Sequence, residues 1–213
     1  MDIYQKHAHA YAAHTATSDS NAAHERPIVR ALLGEVHGTR VLDAGCASGE
    51  NVGWLLSQGA EAHAIDMSPE MVALVRQRFP AASVTCASLA DPLSETPADF
   101  FDSVLCSLTI HYLRDWRPTL REFRRVLRKD GKLIVSTHHP MIIAQMVDDY
   151  FRTQLVRDYF VLAGEKVAVE YYHRPLEHIV APFLQAGFRI AAMLEPSFHG
   201  KPLFLIIDAV NEK

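Results

Sequence analysis

Across residues 41–135 the chain repeats one unit, a short apolar run followed by a loop and then a helix-spaced apolar face. That alternation constrains the fold more than any other feature. Val41-Leu42 is a short buried strand, and 49–57, with Val52, Leu55 and Leu56 in phase, reads as a helix closed at Gly59. His63-Ala64-Ile65 is a second strand. Ser68 caps the next helix, with Pro69 in its first turn and Met71, Leu74, Val75 and Phe79 on its apolar face. Residues 83–86 form a third strand. Residues 101–108 form a fourth, apolar on both faces as a central parallel strand is. A helix over 116–127 leads through the turn Lys129-Asp130-Gly131 into a fifth strand, Leu133-Ile134-Val135. Strands alternating with helices predict a doubly wound α/β sheet, mostly parallel, with right-handed crossovers.

The last third breaks this rhythm. Tyr159-Phe160-Val161-Leu162 and Val167-Ala168-Val169-Glu170-Tyr171 are joined at Ala163-Gly164 and predict an inserted hairpin before the sixth strand. A helix over 176–186, ended by Gly187, leads to a strand at 188–194. The run 203–210 returns beside it through 196–200, as an antiparallel last strand. Upstream, Ile28, Ala31, Leu32 and Val36 share a helical face, with Pro27 near the first turn and Gly38 as the stop. The first 25 or so residues, rich in Ala and His, allow helices whose apolar face is thin for a core element. The division is therefore one domain, 1–213, with an N-terminal segment at 1–26 and an insertion at 138–180.

A net charge of −4 supplies no basic stripe for phosphates. The run at 121–129 puts Arg121, Arg124, Arg125, Arg128 and Lys129 around Leu120, Phe123 and Leu127 at helical spacing, which reads as a solvated helix face. No nucleic-acid partner is expected. The three cysteines, Cys46, Cys86 and Cys106, have no zinc or redox spacing and are expected as buried free thiols of a reducing compartment. No metal site is expected. Met1-Asp2-Ile3-Tyr4 lacks the apolar core of a signal peptide, and no apolar run approaches ~20 residues. The expectation is a cytoplasmic protein, monomer or homodimer, without a membrane partner.

In an open α/β sheet ligands bind beyond the carboxyl ends of the strands, which directs attention to Asp43-Ala44-Gly45-Cys46-Ala47-Ser48-Gly49. Gly45 and Gly49 are expected to let the backbone approach a ligand closely. Asp43 would repel a pyrophosphate but suits the ammonium of an amino-acid-like cofactor, directly or through water. The dinucleotide pattern G-x-G-x-x-G is absent.

These residues resemble the first motif of the class I S-adenosylmethionine-dependent methyltransferases, carried here by Val41-Leu42-Asp43-Ala44-Gly45 and Gly49. Ala47 stands where the family usually has a third glycine. The resemblance runs in register over about residues 28–137 and implies a seven-stranded Rossmann-like sheet with an antiparallel last strand. It implies S-adenosyl-L-methionine as cofactor, with Gly45, Cys46, Ala47 and Gly49 in its loop. Asp66 would hold the ribose hydroxyls and Met67 would pack on the adenine. Ser88 stands where an acidic residue commonly meets the adenine amine, with the Leu89 amide beside the ring and Asp91-Pro92-Leu93 as the following turn. Backbone near Cys106 and Ser107 would face the methionine part. Residues 127–133 resemble the reverse turn before the fifth strand. Tyr4, Tyr11 and His14 resemble the family's lid, with Tyr11 in direct contact, against the alternative of a frayed tail.

Methyl transfer is an in-line displacement that depends on holding two partners, and a hydroxyl acceptor usually also needs a base. Histidine titrates closest to neutrality. His111 follows the fourth strand and reads as structural or catalytic; His138 and His139 follow the fifth, and one of them is expected to face the acceptor. His173-Arg174-Pro175, at the end of the insertion, is placed either to turn back to the pocket or to lie exposed at the surface. The aromatic hairpin is expected as the pocket's other wall or as a dimer interface. The function expected is methylation of a small-molecule acceptor at O, N or C, such as an aromatic or secondary-metabolite ring. Two alternatives stand: an S-adenosylmethionine-binding protein catalysing a non-methylating reaction, and a non-catalytic fold homologue.

Overall fold

The computed structural model describes residues 7–213. Its elements run α1 (Ala8–Thr17), a π-helical segment (Asp19–Glu25), α2 (Arg26–Leu33), β1 (Arg40–Ala44), α3 (Glu50–Ser57), β2 (Glu61–Asp66), α4 (Pro69–Arg78), β3 (Ser83–Cys86) and β4 (Phe101–Cys106). A 3-10 turn (Ile110–Tyr112) precedes α5 (Arg117–Val126), β5 (Leu127–His138) and the short α6 (Pro140–Ile143). Then come β6 (Gln154–Leu162), β7 (Glu165–His173), α7 (Leu176–Ala186), β8 (Phe188–Leu194), the two-residue strands β9 (Ser197–Phe198) and β10 (Lys201–Pro202), and β11 (Phe204–Asn211).

Seven strands form one sheet in the order β3-β2-β1-β4-β5-β11-β8. Pairing is parallel from β3 through β5, and β11 runs antiparallel to both β5 and β8. Strand periodicity divides the core between the two faces. Leu42, Val104 and Leu133 pack with Trp116, Phe123 and Phe183 under α5 and α7. Val41, Leu105 and Ile134, their immediate neighbours, pack with Val29, Val52, Leu55 and Val75 under α2, α3 and α4. Strand order reverses between β1 and β4, so their carboxyl ends open a crevice.

The expected inserted hairpin is β6–β7, paired from Gln154↔His173 to Leu162↔Glu165. Its turn, Ala163 (φ 52°) and Gly164 (φ 85°), has the double positive φ of a two-residue turn that follows strand twist. Val156 and Tyr171 of the hairpin pack with Ile143 and Tyr112.

Several local expectations need correction. Helix α2 stops at Leu33 because Gly34 takes φ 75°; Gly38, expected as the stop, lies in the next turn and donates to the Gly59 carbonyl. The turn at Lys129-Asp130-Gly131 is absorbed into β5, where the register against β4 shifts and Asp130 sits at φ 59°. Cys46 and Cys106 are buried free thiols, but Cys86 is exposed because β3 is an edge strand with one covered face. Of the basic run, Arg121, Arg128 and Lys129 are exposed, whereas Arg124 and Arg125 are half-buried, with Arg125 held by Glu122 and the Leu93 and Thr96 carbonyls; Leu120, Phe123 and Leu127 are buried. No helix among the described residues is long and apolar enough to cross a membrane.

Candidate active site

The crevice is a cavity with about 1040 Å³ of open space, mouth included. Its wall is built from four places: the end of β1 and the loop after it (Asp43, Gly45, Cys46, Ala47, Ser48), the ends of β2 and β3 (Asp66, Met67, Ala87, Ser88, Leu89), the loop after β4 (Ser107, Leu108, Thr109, Tyr112, Leu113), and the N-terminal segment (Tyr11, Thr15, Asn21, Glu25, Arg26). Glu50 and Asn51 of α3 complete it.

The glycine loop owes its shape to packing. Gly45 has φ 87°, and a Cβ there would stand 2.2 Å from Thr109 Cγ2; Thr109 Oγ1 donates to the Gly45 carbonyl at 3.2 Å. Gly49 has φ 84°, and its missing Cβ leaves room for Phe79, whose Cε2 would lie 3.0 Å away. At both glycines a neighbouring side chain occupies the space a Cβ would need, and Gly45 also lines the cavity. Gly49 lies outside the cavity lining, at the N-cap of α3. Ala47, at the family's third glycine, has φ 45° and donates its N–H to Asp66 Oδ2 at 2.9 Å. Leu108, on the opposite wall, has φ 48°. Left-handed non-glycine residues are costly and concentrate at working sites.

Charge in the cavity is mainly negative. Asp43 is 1% exposed, and neither carboxylate oxygen has a hydrogen-bond partner. Burial, reinforced by Asp66 and Glu25, pushes its pKa up to about 7. Asp66 Oδ1 accepts from the Ser68 N–H at 2.9 Å, leaving each carboxylate oxygen with further acceptor capacity towards the cavity. Burial raises the Asp66 pKa, against the Ser68 and Ala47 amides. Glu25 accepts from Ser107 Oγ (2.7 Å) and Ser136 Oγ (2.5 Å), and burial raises its pKa.

Of the residues singled out in the sequence, Tyr11, Asp43, Gly45, Cys46, Ala47, Asp66, Met67, Ser88, Leu89 and Ser107 line this one cavity. Cys106 does not: it is fully buried, packed in the core beneath, because alternation along β4 turns it inward. Tyr4 lies outside the described residues. His14 stands beside Phe160 of the hairpin, with ring centres 6.1 Å apart.

The histidines are corrected more heavily, since none lines the cavity. His139 caps α6, its Nδ1 accepting the Met141 N–H at 3.1 Å and its Nε2 meeting Glu195 Oε1 at 2.6 Å. Both nitrogens are committed, so it is free neither as base nor as ligand. His111 and His138 stack with ring centres 4.3 Å apart, behind Tyr112 and against Tyr171. Burial lowers the His138 pKa to about 4 and holds His111 well below its usual value. His138 and His173 border a second, smaller cavity of about 230 Å³. Arg174 turns inward, lies over Trp116 and donates to the carbonyls of Leu113 and Arg114, fixing the cavity wall from behind. No residue of the 138–180 insertion lines the main cavity; the hairpin supports Tyr112 and α1 from outside.

Sequence reasoning missed Glu25, Arg26, Asn21, Thr109 and Tyr112. Glu25-Arg26 directly before Pro27, an acid-base pair at a helix start after an Ala- and His-rich stretch, was the available signal.

An open α/β sheet of this order, with an acidic residue at the end of β1 and another at the end of β2, has the architecture of a methyltransferase fold. Residues 42–135 match the methyltransferase domain family, and the chain shares the fold of S-adenosylmethionine-dependent methyltransferases. It is 34% identical over 117 residues to the malonyl-acyl-carrier-protein O-methyltransferase of Halorhodospira halophila, covering 52% of this chain and 39% of that enzyme. The chain thus spans well under two thirds of that relative. Among solved structures, an S-adenosylmethionine-dependent methyltransferase from Mesorhizobium loti superposes with a TM-score of 0.72 at 24% identity, covering 87% of this chain and 97% of that one. The 4+2 cyclase SpnF shares the fold at 15% identity with a TM-score of 0.66, covering 87% of this chain and 81% of that one.

The residues present fit S-adenosylmethionine. Asp43 offers an orphaned buried carboxylate to a cation, Asp66 spare acceptor positions to hydroxyls, and Met67, Ala87 and Leu89 an apolar slot to a flat ring.

Proposed function

We propose that this protein transfers the methyl group of S-adenosylmethionine to a small-molecule acceptor, at oxygen, nitrogen or carbon, inside the main cavity. One observation carries the reading. The cofactor-side residues Asp43, Asp66 and Met67 share a single covered space with an apolar side formed by Tyr11, Leu108, Tyr112 and Leu113. A space covered by residues 7–26 suits a compact, partly flat acceptor better than a polymer.

In this reading Asp66 accepts the ribose hydroxyls, Met67 packs on the adenine, Ser88 and Leu89 border it, and Asp43 faces the ammonium. Ser107 borders the methionine part. Bound there, the cofactor supplies a methyl group activated on a sulfonium. The chain orients the two partners and excludes water. With no histidine in the lining, His111 and His138 are positioning residues that hold the loop of Tyr112, and His139 takes no part. An amine or an acidic hydroxyl, unprotonated at neutral pH, is the acceptor such a cavity suits. Residues 7–26 serve as the lid, and the insertion buttresses it.

The test is S-adenosylhomocysteine formation with a panel of phenols, amines and carboxylic acids. The reading expects formation with at least one of them. Formation only with polypeptide or nucleic acid would overturn it. A changed substrate without S-adenosylhomocysteine would replace it with the non-methylating reading, for which the shared fold of the 4+2 cyclase is a precedent of architecture alone.

A further inference from the structure

Glu25 ends the π-helical segment and Arg26 begins α2, so one crossing of the chain brings a carboxylate and a guanidinium into the cavity wall together. Both are buried, at 1% and 9% exposed. The hydroxyls of Ser107 and Ser136 hold one oxygen of Glu25, Oε1, while Oε2 has no partner. Asp43 has no partner on either oxygen. Beside them, Arg26 donates to the Thr15 carbonyl and lines the cavity. Arg30, the other cation felt by Glu25, is engaged by Asn51 and the Glu50 carbonyl.

Burying carboxylate oxygens without partners is costly, and a fold that retains two such groups side by side keeps them for a cation. Two carboxylates next to a guanidinium match one ligand end, an α-amino acid carrying an ammonium and a carboxylate on adjacent atoms. We propose that Glu25 and Arg26 clamp the amino-acid end of the cofactor with Asp43, the carboxylates taking its ammonium and Arg26 its carboxylate. The inference rests on the cofactor reading of the cavity and adds a second source of recognition to it. Glu25 and Arg26 lie outside residues 42–135, the part matched by the family. The ligand's own end therefore ties the N-terminal segment down, through Glu25 and its two serines on the tips of β4 and β5.

Two ligands separate the possibilities. S-adenosylhomocysteine carries the amino-acid end, and 5′-methylthioadenosine has the same nucleoside and sulfur without it. Glu25→Gln keeps an acceptor oxygen for Ser107 and Ser136; Arg26→Gln removes the guanidinium. Affinities measured by calorimetry on the full chain are expected to fall about tenfold or more for S-adenosylhomocysteine in each variant, and to stay within about twofold for 5′-methylthioadenosine. Retained 5′-methylthioadenosine binding also reports an intact cavity. Parallel loss of both ligands would make the pair a structural latch and overturn the clamp. Unchanged S-adenosylhomocysteine binding would overturn it too and turn Glu25 towards the acceptor. Wild-type chain that binds neither ligand would remove the cofactor reading, and the clamp with it.

Discussion

Asp43 concentrates the electrostatic strain of the site in one side chain. Burial, with Asp66 and Glu25 nearby, raises its pKa from 3.8 to about 7, so the folded chain holds a proton that the unfolded chain has released. The stability from that proton is fully present below pH ~4 and is lost as pH rises through ~7. Asp43→Asn never loses it. The variant should gain roughly 2–4 kcal/mol over wild type at pH 8 and little at pH 4, while losing S-adenosylhomocysteine affinity. Thermal unfolding at the two pH values checks the first part, and equal gains at both would contradict it. Ala47 holds a second store of strain, at φ 45°. Ala47→Gly should raise stability by about 0.5–1 kcal/mol with cofactor affinity kept, and a lower unfolding midpoint would show that the Ala methyl packs usefully.

Among the elements, the stacked pair at the ends of the 3-10 turn and β5 makes a pH prediction of opposite sign. His138 is neutral in the folded chain, with its pKa lowered by burial from 6.5 to about 4. Stability is therefore present above pH ~6.5 and lost as pH falls towards ~4, because the unfolded chain takes up a proton that the folded chain refuses. His138→Phe, which keeps a ring against His111 and Tyr171, should flatten that loss by roughly 2–3 kcal/mol. Urea midpoints at pH 7 and pH 4.5 measure it, and an unchanged difference would mean that His138 titrates freely.

The elements also show what was legible in the sequence. Periodicity placed α7 and β8 correctly, since each is a long enough apolar pattern bounded by Gly or Pro. It placed Gly45, Asp43 and Asp66 on the ligand side because strand ends dictate that geometry. It could not see that Thr109 fills the space at Gly45, because that contact joins loops 64 residues apart. The histidines misled for a similar reason. His139 follows a strand on the binding edge, yet a Pro at the next position makes it a helix cap, facing Glu195. The aromatic hairpin belonged beside the pocket but not in it.

Over the whole molecule, the active cavity is a joint product of two unlike parts, a sheet that supplies Asp43 and Asp66 and an N-terminal segment that supplies Tyr11, Glu25 and Arg26. A segment placed in this way should be more protected when the site is loaded. Saturating S-adenosylhomocysteine should slow proteolytic cleavage within residues 7–26 several-fold, and an unchanged cleavage rate would mean that the segment does not respond to the ligand.

The central claim, that this cavity takes S-adenosylmethionine through its acidic strand ends, is tested most directly by titrating wild type and Asp66→Ala with S-adenosylhomocysteine in a calorimeter. The prediction is one molecule bound per chain, weakened in the variant by ~1.5–3 kcal/mol, the scale of charge-assisted hydrogen bonds. No binding by wild type at about 1 mM, or equal affinity in the two proteins, would contradict it.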